Sequence, residues 1–556
     1  MPANPETTEI VEEAQAELER LLASLCEEPL PLAKHATYSP VYVILSSKDA
    51  LESKYARSGF AQLDGDLREF QQTVAEQAGL EVLTVYVDDR RSLARYGLQP
   101  VDAGDAQQVK KAIDHLDGYL NEQNREIRYL LIVGGDSIIP FHRLPNPIDD
   151  QDTDVPSDNP YASRDGNYLI PERAVGRMPD AEGEGVEFLR SLIRTAICGH
   201  KRPATSKGFW STLLEALHPT RQEQQNGHSL GYSASIWRKA SRAVFEVIGN
   251  TNQLRTCPPL AYTELNIPDG LRFSYFNLHG IEDGANWYGQ RDSLFPADYP
   301  LFPVALRPQD LSASEHANTV VFTEACYGAN VLGKDAENSI ALRFLASQVL
   351  ALVGSTCIAY GAIAPPLLGA DLMGRYFWEG LRAHLSVGEA LKYARINLVK
   401  QMQDRQGYLD GEDQKTLISF VLYGDPSLPA TTFWSGVTYR GAGKTLCPPL
   451  ICQRKVRQQK SVVPDELIAT VKRSVEASLP HMAQARIHAR PLAVCSGDCS
   501  HRCSLAHGVA KTARTRRSNW TFTLEKDIVN GDGTHRQVVK ATVDEKGHIL
   551  KMVVSK

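Results

Sequence analysis

A histidine and a cysteine each follow an apolar run of the sequence, at places where side chains could do chemistry. Residues 273–278 lead into His279, and residues 319–325 lead into Cys326. Both runs are typical of buried strands, and groups just past the carboxyl ends of adjacent parallel strands converge on one crevice. An imidazole lowers the pKa of a nearby thiol and can later protonate a leaving amine. The spacing therefore predicts a Cys/His pair for nucleophilic catalysis.

Gly280 follows the histidine and could complete such a site. Because a glycine has no side chain, its N–H can turn toward a developing oxyanion beside the N–H of Cys326. The His-Gly step is not specific in itself, since it recurs at residues 507–508. Buried cysteines are also often inert packing residues. The residues alone leave a packing pair open as the alternative to a catalytic pair.

The elements that must position these residues alternate between strands and helices. Short β-branched apolar runs at residues 41–45, 82–87 and 129–133 are separated by helical patterns. After a loop rich in Pro, Asp and Asn, the same rhythm resumes and continues to residue 429. Strand, helix and strand at this spacing favour right-handed crossovers and a parallel sheet. We therefore predict an α/β body.

The wider context of His279 and Cys326 consists of several strings in a fixed order. They are YLLIVGGDSIIP with SDNPYA downstream, AVGR, YFNLHGIEDGANWYG, VVFTEACYGAN and VLYGDPSL. In this order they resemble the gingipain-type cysteine peptidases, which are members of the caspase-like superfamily. The resemblance extends over residues 41–429.

The resemblance implies a caspase-like parallel-sheet fold in two subdomains, residues 39–180 and residues 181–430. It also implies a cysteine endopeptidase that hydrolyses protein or peptide substrates through an acyl-enzyme intermediate, without a cofactor. A second class of function stays open, because caspase-like folds can lose their chemistry. The chain would then be a non-catalytic interaction or regulatory module whose basic tail recruits a partner, although the presence of both His279 and Cys326 favours the enzyme.

The same resemblance implies roles for individual residues. His279 would be the general base and acid and Cys326 the nucleophile, with the N–H groups of Gly280 and Cys326 forming the oxyanion hole. Some members carry an acid that orients the histidine, in a loop after the strand that here is residues 213–217. The best matching position for this acid is Glu223.

The primary specificity pocket departs from that of the best-known members. Those members place an acid in the pocket to hold Arg or Lys, but the matching position here is Leu230. The pocket wall is expected from residues 357–366, which include Tyr360 and Ile363. The sequence therefore does not predict a preference for basic residues.

Two further segments flank the body: an amphipathic helical segment within residues 1–38, and an α+β extension over residues 431–556 that ends in a β-meander. The net charge of −6 hides a contrast between the extension and the rest. The extension carries 21 Lys and Arg against 9 Asp and Glu, whereas residues 1–430 carry 39 against 57. Opposite charges favour association, so we predict that the extension docks on the acidic body or recruits a partner.

Other partners are less well supported. The basic runs at residues 454–460 and 511–517 favour a solvated surface over a nucleic-acid site, because Trp520 is the one neighbouring aromatic residue for stacking on bases. Residues 344–370 carry no charge, but their polar residues and prolines favour a buried strand and loop over a membrane span. We expect no metal in the catalytic site. A metal-binding alternative is left open for the cluster Cys495, Cys499 and Cys503.

The expected location is the cytoplasm. The first 22 residues contain neither the basic segment nor the apolar segment of a secretory signal. The ten cysteines are mostly scattered, which suits a reducing compartment better than a disulfide framework.

Overall fold

A computed structural model describes residues 38–166, 168–202, 228–268, 270–312, 315–429, 463–491, 519–530, 533–544 and 546–556. Several predictions fall on other residues and so lie outside the described part of the chain. These are the N-terminal helix, the strand at residues 213–217, Glu223, the two basic runs and the cysteine cluster.

The strands of the described residues form a large central sheet, a second sheet and two small ribbons. The strands are β1 (Ser39–Ser46), β2 (Glu81–Tyr86), β3 (Arg125–Val133), β4 (His142–Pro145), β5 (Asp154–Ser157), β6 (Ala174–Met178), β7 (Ser229–Ala234), β8 (Arg255–Cys257), β9 (Phe273–Asn277), β10 (Trp287–Tyr288), β11 (Val304–Leu306), β12 (Val320–Thr323), β13 (Ala351–Ser355), β14 (Tyr360–Gly361), β15 (Phe420–Gly424), β16 (Arg486–Pro491), β17 (Trp520–Asn530), β18 (Gly533–Val543) and β19 (Ile549–Ser555).

Helices connect most of the strands of the central sheet. They are α1 (Lys48–Ala78), α2 (Arg90–Ala94), α3 (Ala106–Asn121), α4 (Asn159–Ala162), α5 (Val186–Lys201), α6 (Arg238–Phe245), α7 (Ile340–Ala346), α8 (Gly369–Arg382), α9 (Val387–Gln406), α10 (Gly411–Ser419) and α11 (Asp465–Ser478). Their ends follow local chemistry. The Ser47 hydroxyl caps the start of α1, and Gly79 ends it in the left-handed conformation, which glycine adopts without steric cost.

The central sheet has ten strands in the order β2-β1-β3-β6-β15-β13-β12-β9-β7-β8. The two predicted subdomains contribute adjacent halves of this one sheet, and they meet where Tyr423 of β15 pairs with Arg177 of β6. The strands that cross the middle are fully buried and apolar, which suits a sheet that is covered on both faces.

The central sheet is mostly parallel, as predicted, with one antiparallel pair. Strand β15 runs antiparallel to β13, with Phe420 beside Ser355, whereas the other neighbouring pairs are parallel. The cause is the connection, because α10 leads directly into Phe420. The chain therefore enters β15 at the edge of the sheet where β13 finishes.

The described part of the extension is α+β, and the predicted terminal β-meander forms. Strands β16 to β19 are antiparallel, and α11 packs on them through an apolar cluster that includes Val471, Phe522 and Val539. The sheet has a fifth strand that belongs to the body, because β14 pairs with β19. The extension and the body therefore share one sheet.

The uncharged stretch at residues 344–370 does not form a long helix. It contains the end of α7 and the strands β13 and β14. Across the described residues, no helix combines the length and the apolar character needed to cross a membrane.

Candidate active site

His279 and Cys326 follow two strands that lie side by side. Strands β9 and β12 are parallel neighbours, with Phe276 beside Thr323. The histidine comes two residues after β9, and the cysteine comes three residues after β12. The backbone of His279 is held by two hydrogen bonds with Tyr288, at 2.8 and 2.9 Å. The structure thus places both residues at the carboxyl edge of the sheet.

Gly280 lies against the backbone of the cysteine. A Cβ atom at this position would lie 1.9 Å from the carbonyl oxygen of Cys326, which is far inside van der Waals contact. No residue other than glycine fits here without a shift of one of the two backbone segments. The His-Gly step therefore has a steric reason that the dipeptide alone does not reveal.

The imidazole of His279 is oriented by Gln290, which the sequence analysis missed. The Nε2 atom of His279 lies 2.8 Å from the Oε1 atom of Gln290. Because an amide oxygen accepts hydrogen bonds, this contact favours the tautomer with the proton on Nε2, which leaves the lone pair on Nδ1. The rings of Trp237 and Phe302 pack against the imidazole, with centroids 4.3 and 4.9 Å away. From the sequence we expected an acidic residue to orient the histidine, and a neutral glutamine does not meet that criterion.

The thiol of Cys326 is buried, with 4% of the residue exposed. Its Sγ atom accepts the N–H of Ala359 at 3.3 Å and lies 3.5 Å from the carbonyl oxygen of the same residue. Burial raises the pKa of the Cys326 thiol to about 12, although the Ala359 N–H opposes the shift. The thiol is therefore protonated in this arrangement.

The neighbouring imidazole is also uncharged. Burial lowers the pKa of His279 to about 3, and the hydrogen bond to Gln290 opposes this shift. The pKa is lowered further by nearby positive or ionisable groups at His535, Lys556 and His481, in that order. All three residues belong to the extension, so the extension contributes to the neutral state of the pair.

Strand β19 and the residue after it, Lys556, lie in the site. We call β19 together with Lys556 the arm, residues 549–556. The N–H of Cys326 donates to the carbonyl oxygen of Lys556 at 3.3 Å, and the N–H of Lys556 donates to the carbonyl oxygen of Ala359 at 3.0 Å. Ser555 pairs with Tyr360 in an antiparallel register. The carbonyl oxygen of Lys556 therefore lies on the backbone N–H of the candidate nucleophile.

The side chain of Lys556 fills a pocket that contains two carboxylates. Its Nζ atom lies 3.0 Å from Asp371 Oδ1 and 3.4 Å from Glu324 Oε2, and it donates to the carbonyl oxygen of Ala362 at 3.3 Å. The same atom lies 4.5 Å from the ring centroid of Trp237. We call these four residues and Gly361 the primary pocket.

The carboxylates of the primary pocket are held by the body. Asp371 Oδ2 accepts the N–H of Ala362 at 2.5 Å, and Glu324 Oε1 accepts the hydroxyl of Tyr275 at 2.6 Å. Burial raises the pKa of Glu324 above its usual range, Asp371 raises it further, and the ammonium of Lys556 opposes both. A Cβ on Gly361 would lie 2.1 Å from Lys556 Cε, so the missing side chain makes room for the lysine.

The pocket residues predicted from the sequence lie in different places. Leu230 is in β7 and belongs to the hydrophobic core. The backbone of Tyr360 pairs with the arm, but its hydroxyl donates to Asp150 at 2.9 Å. Ile363 packs against the apolar core of the extension. The predicted wall segment, residues 357–366, thus contacts the arm, whereas the two acids of the primary pocket, Glu324 and Asp371, lie outside this segment.

The acids and the tryptophan were missed for separate reasons. Glu324 stands two residues before Cys326, where its apolar neighbours indicate a buried strand and give a carboxylate no evident use. Asp371 and Trp237 lie on helical segments far apart in the sequence. Their convergence depends on the sheet order, which the sequence does not state.

The extension also covers His279 from the side. The ring of His535 stacks on Phe302 at 4.6 Å, and the amide of Gln537 donates to Gln290 at 3.3 Å. A cavity of about 370 Å³ remains between the two parts, lined by His279 and Cys326 from the body and by several residues of the extension. The site is therefore enclosed by residues of both the body and the extension.

Comparison with known proteins assigns the chain to a family. The model of Peptidase family C25 matches residues 36–187 and 247–431, which together exceed half of the chain and include both His279 and Cys326. No curated protein matches the sequence. The solved structures that are similar include "Crystal structure of the Arg specific cysteine proteinase gingipain R (RGPB)", with 15% identity, 95% of this chain and 93% of that chain covered, and a TM-score of 0.46. Another, "Structure of Protease", has 11% identity, 93% and 91% coverage, and a TM-score of 0.45. On the evidence of the family match, the chain belongs to Peptidase family C25, the gingipain family of cysteine peptidases.

Proposed function

We propose that this cysteine peptidase is an endopeptidase that acts through Cys326 and His279. The observation that carries the proposal is the carbonyl oxygen of Lys556, which accepts the N–H of Cys326. A donor in this place would stabilise the oxyanion of a tetrahedral intermediate. The imidazole, oriented by Gln290, keeps Nδ1 for the thiol proton.

The proposed reaction uses these groups in turn. Nδ1 of His279 takes the thiol proton, and the sulfur of Cys326 attacks the substrate carbonyl carbon, whose oxygen becomes an anion on the N–H of Cys326 and of Gly280. The C–N bond then breaks, and the imidazolium gives its proton to the leaving amine. A water molecule hydrolyses the resulting thioester, which releases the acid and restores the thiol.

We further infer that the preferred bond follows a lysine. Lys556 supports this inference, because its ammonium lies between the carboxylates of Asp371 and Glu324 and over the ring of Trp237. These acids can replace the one that is missing at Leu230. A flat ring and the Asp371 carboxylate, with an acceptor oxygen of Glu324 beside them, suit a cation, and removal of one partner of such a buried pair costs about 2–5 kcal/mol.

Docking of the basic extension on the acidic body is part of the same proposal. In support, Lys551 Nζ lies 2.7 Å from both carboxylate oxygens of Asp410 and 2.8 Å from Asp413. Lys540 lies 3.7 Å from Glu412. These five residues are buried, so their charges are compensated by one another rather than by water.

A peptide library tests the chemistry and the preference together. The full chain and its Cys326→Ala variant are incubated with peptides derived from a proteome, and the residue before each new cut is identified. We expect cuts after lysine with the wild type, and at least a 10³-fold loss in the variant, on the order of the loss when a catalytic nucleophile is removed. A matched control is Cys198→Ala, since Cys198 is an exposed free thiol on α5.

The outcomes separate the candidate functions. Cuts that persist in Cys326→Ala would exclude this residue as the nucleophile. If neither the wild type nor its Lys556→Ala variant cuts or reacts at Cys326 with an acylating probe, the non-catalytic module becomes the better explanation. Cuts without a lysine preference would keep the chemistry and overturn the assignment of the pocket.

A further inference from the structure

The arm occupies the place that the acyl side of a substrate needs. We propose that it is a built-in occupant of the active site, which holds the peptidase at a low basal activity until the arm is displaced. This inference rests on the proposed function, because it identifies Lys556 with the residue that precedes the scissile bond. It concerns the control of the site rather than its chemistry.

The backbone contacts of the arm exclude a second chain. Lys556 uses the N–H of Cys326 and the carbonyl oxygen of Ala359, and Ser555 and Val554 pair with the two residues of β14. A substrate would add to the same edge strand through the same groups. Because each of these groups is already engaged by the arm, substrate and arm compete directly.

The primary pocket is filled in the same way. The side chain of Lys556 is fully buried, and the space that Gly361 leaves open is taken up by Cε of the lysine. The ammonium contacts both Asp371 and Glu324. A lysine of a substrate can enter only after Lys556 has left.

The rest of the extension reinforces this closed state. His481 and Gln537 lie within hydrogen-bond distance of Gln290, the residue that orients the catalytic imidazole. With the extension in place, burial holds the thiol protonated and the imidazole neutral. Displacement of the extension would return both groups to water and remove the positive neighbours of His279.

The arm is tethered firmly, so it competes well. Strand β19 lies between β14 of the body and β18 of the extension. Lys551, five residues before Lys556, is bound to Asp410 and Asp413. A tethered ligand acts at an effective concentration on the order of millimolar, above the level of most free substrates. Release therefore requires a change that separates β19 from β14.

The test changes Lys556 in the full chain. Lys556→Ala empties the primary pocket, whereas Lys556→Arg keeps a cation there, and Lys546→Ala removes an exposed lysine of the same extension. We measure the rate at which a lysine-derived acyloxymethyl ketone labels Cys326 and the hydrolysis of a lysyl aminocoumarin peptide. Lys556→Ala should raise both rates at least tenfold, while Lys546→Ala should match the wild type and Lys556→Arg should stay low.

Inhibition in trans gives a second readout. The synthetic tetrapeptide of residues 553–556 should inhibit the Lys556→Ala variant competitively and should leave the wild type almost unchanged. Lys556→Ala could react no faster than the wild type, while the Cys326→Ala substitution abolishes the activity of each. In that case the occupant proposal is wrong and the peptidase assignment stands. If Cys326 is unreactive in every variant, the proposed function fails, and this inference fails with it.

Discussion

The protein buries two lysines of the arm among carboxylates, and the two clusters are built differently. Lys551 donates to Asp410 and Asp413 at 2.7–2.8 Å. Lys556, in the primary pocket, contacts its two carboxylates at 3.0 and 3.4 Å. We call the first cluster, Lys551 with Asp410 and Asp413, the anchor.

The carboxylates differ in what else supports them. Asp410 caps the start of α10, where it accepts the N–H of Asp413 at 3.1 Å and lies at the positive end of the helix dipole. Its pKa falls to about 2, because Lys551 and hydrogen bonds outweigh the effect of burial. In the primary pocket, Glu324 Oε2 lacks a hydrogen-bond donor among the described residues. The difference suggests a permanent contact in the anchor and an exchangeable one in the pocket.

Removal of the anchor lysine should produce the largest effect. In Lys551→Met the carboxylates of Asp410 and Asp413 lose their cation, and breaking a buried pair in this way costs about 3 kcal/mol or more. Hydrogen exchange of the β18 and β19 amides should therefore become about 10²-fold faster. The matched control is Lys546→Met at an exposed position, which should leave the exchange unchanged. Equal protection in the two variants would show that the anchor does not hold the arm.

Neutralising Asp371 should have the next largest effect, and it should appear in specificity. Asp371→Asn keeps an oxygen for the N–H of Ala362 but removes the charge beside a bound lysine. In the Lys556→Ala chain we expect kcat/KM for a lysyl peptide to fall about 10²-fold, which corresponds to about 2.7 kcal/mol. A norleucyl peptide should be cleaved at an unchanged rate.

The control for this change is Glu379→Gln, which neutralises an acid on the same helix that pairs with Arg375 on a partly exposed surface. It should alter neither substrate. An equal loss for the lysyl and norleucyl peptides in Asp371→Asn would mean that Asp371 supports the fold of the site rather than its preference.

A smaller effect is expected at the other acid of the pocket. Glu324→Gln keeps the acceptor for the Tyr275 hydroxyl and changes only the oxygen that lies 3.4 Å from the ammonium. Because burial and Asp371 raise the pKa of Glu324, its charge contributes less than that of Asp371. We expect kcat/KM for the lysyl peptide to fall about tenfold or less. A loss larger than that of Asp371→Asn would reverse the order of the two acids.

The features that the sequence could predict are those that depend on local pattern. Apolar runs and their ends were enough to predict β9 and β12 and to bring His279 and Cys326 to one edge, because strand ends follow from local pattern. The α/β body and the terminal meander were predictable for the same reason. These features depend on residues that are near one another in the chain.

The remaining features depend on contacts between distant residues. The antiparallel entry of β15, the role of Gln290 and the pairing of β14 with β19 each join segments that no local pattern connects. The charge contrast of the chain predicts attraction between the extension and the body, but it does not predict which lysine contacts which carboxylates. The anchor and the primary pocket both depend on such contacts between distant residues, so the sequence did not predict them.

Salt should have the smallest effect, and the reason is burial. An attraction between exposed charges weakens as salt screens them, with a Debye length of about 10 Å at 0.1 M. Lys551 and Lys556 are instead buried with their carboxylates, whereas the pair of Arg490 and Asp149 is an exposed contact. Raising NaCl from about 0.05 to about 0.5 M should therefore change the labelling rate of Cys326 in the full chain less than twofold.

The matched comparison is the Arg490→Ala variant, which removes the exposed contact and should behave like the wild type at both salt concentrations. A labelling rate that rises steeply with salt in the wild type but not in this variant would mean that a screened surface contact holds the arm. A small response in both the wild type and Arg490→Ala would mean that the buried lysine clusters hold the arm in the site. Displacement of the arm would then require a competitor for β14 or for the primary pocket rather than a change of ionic strength.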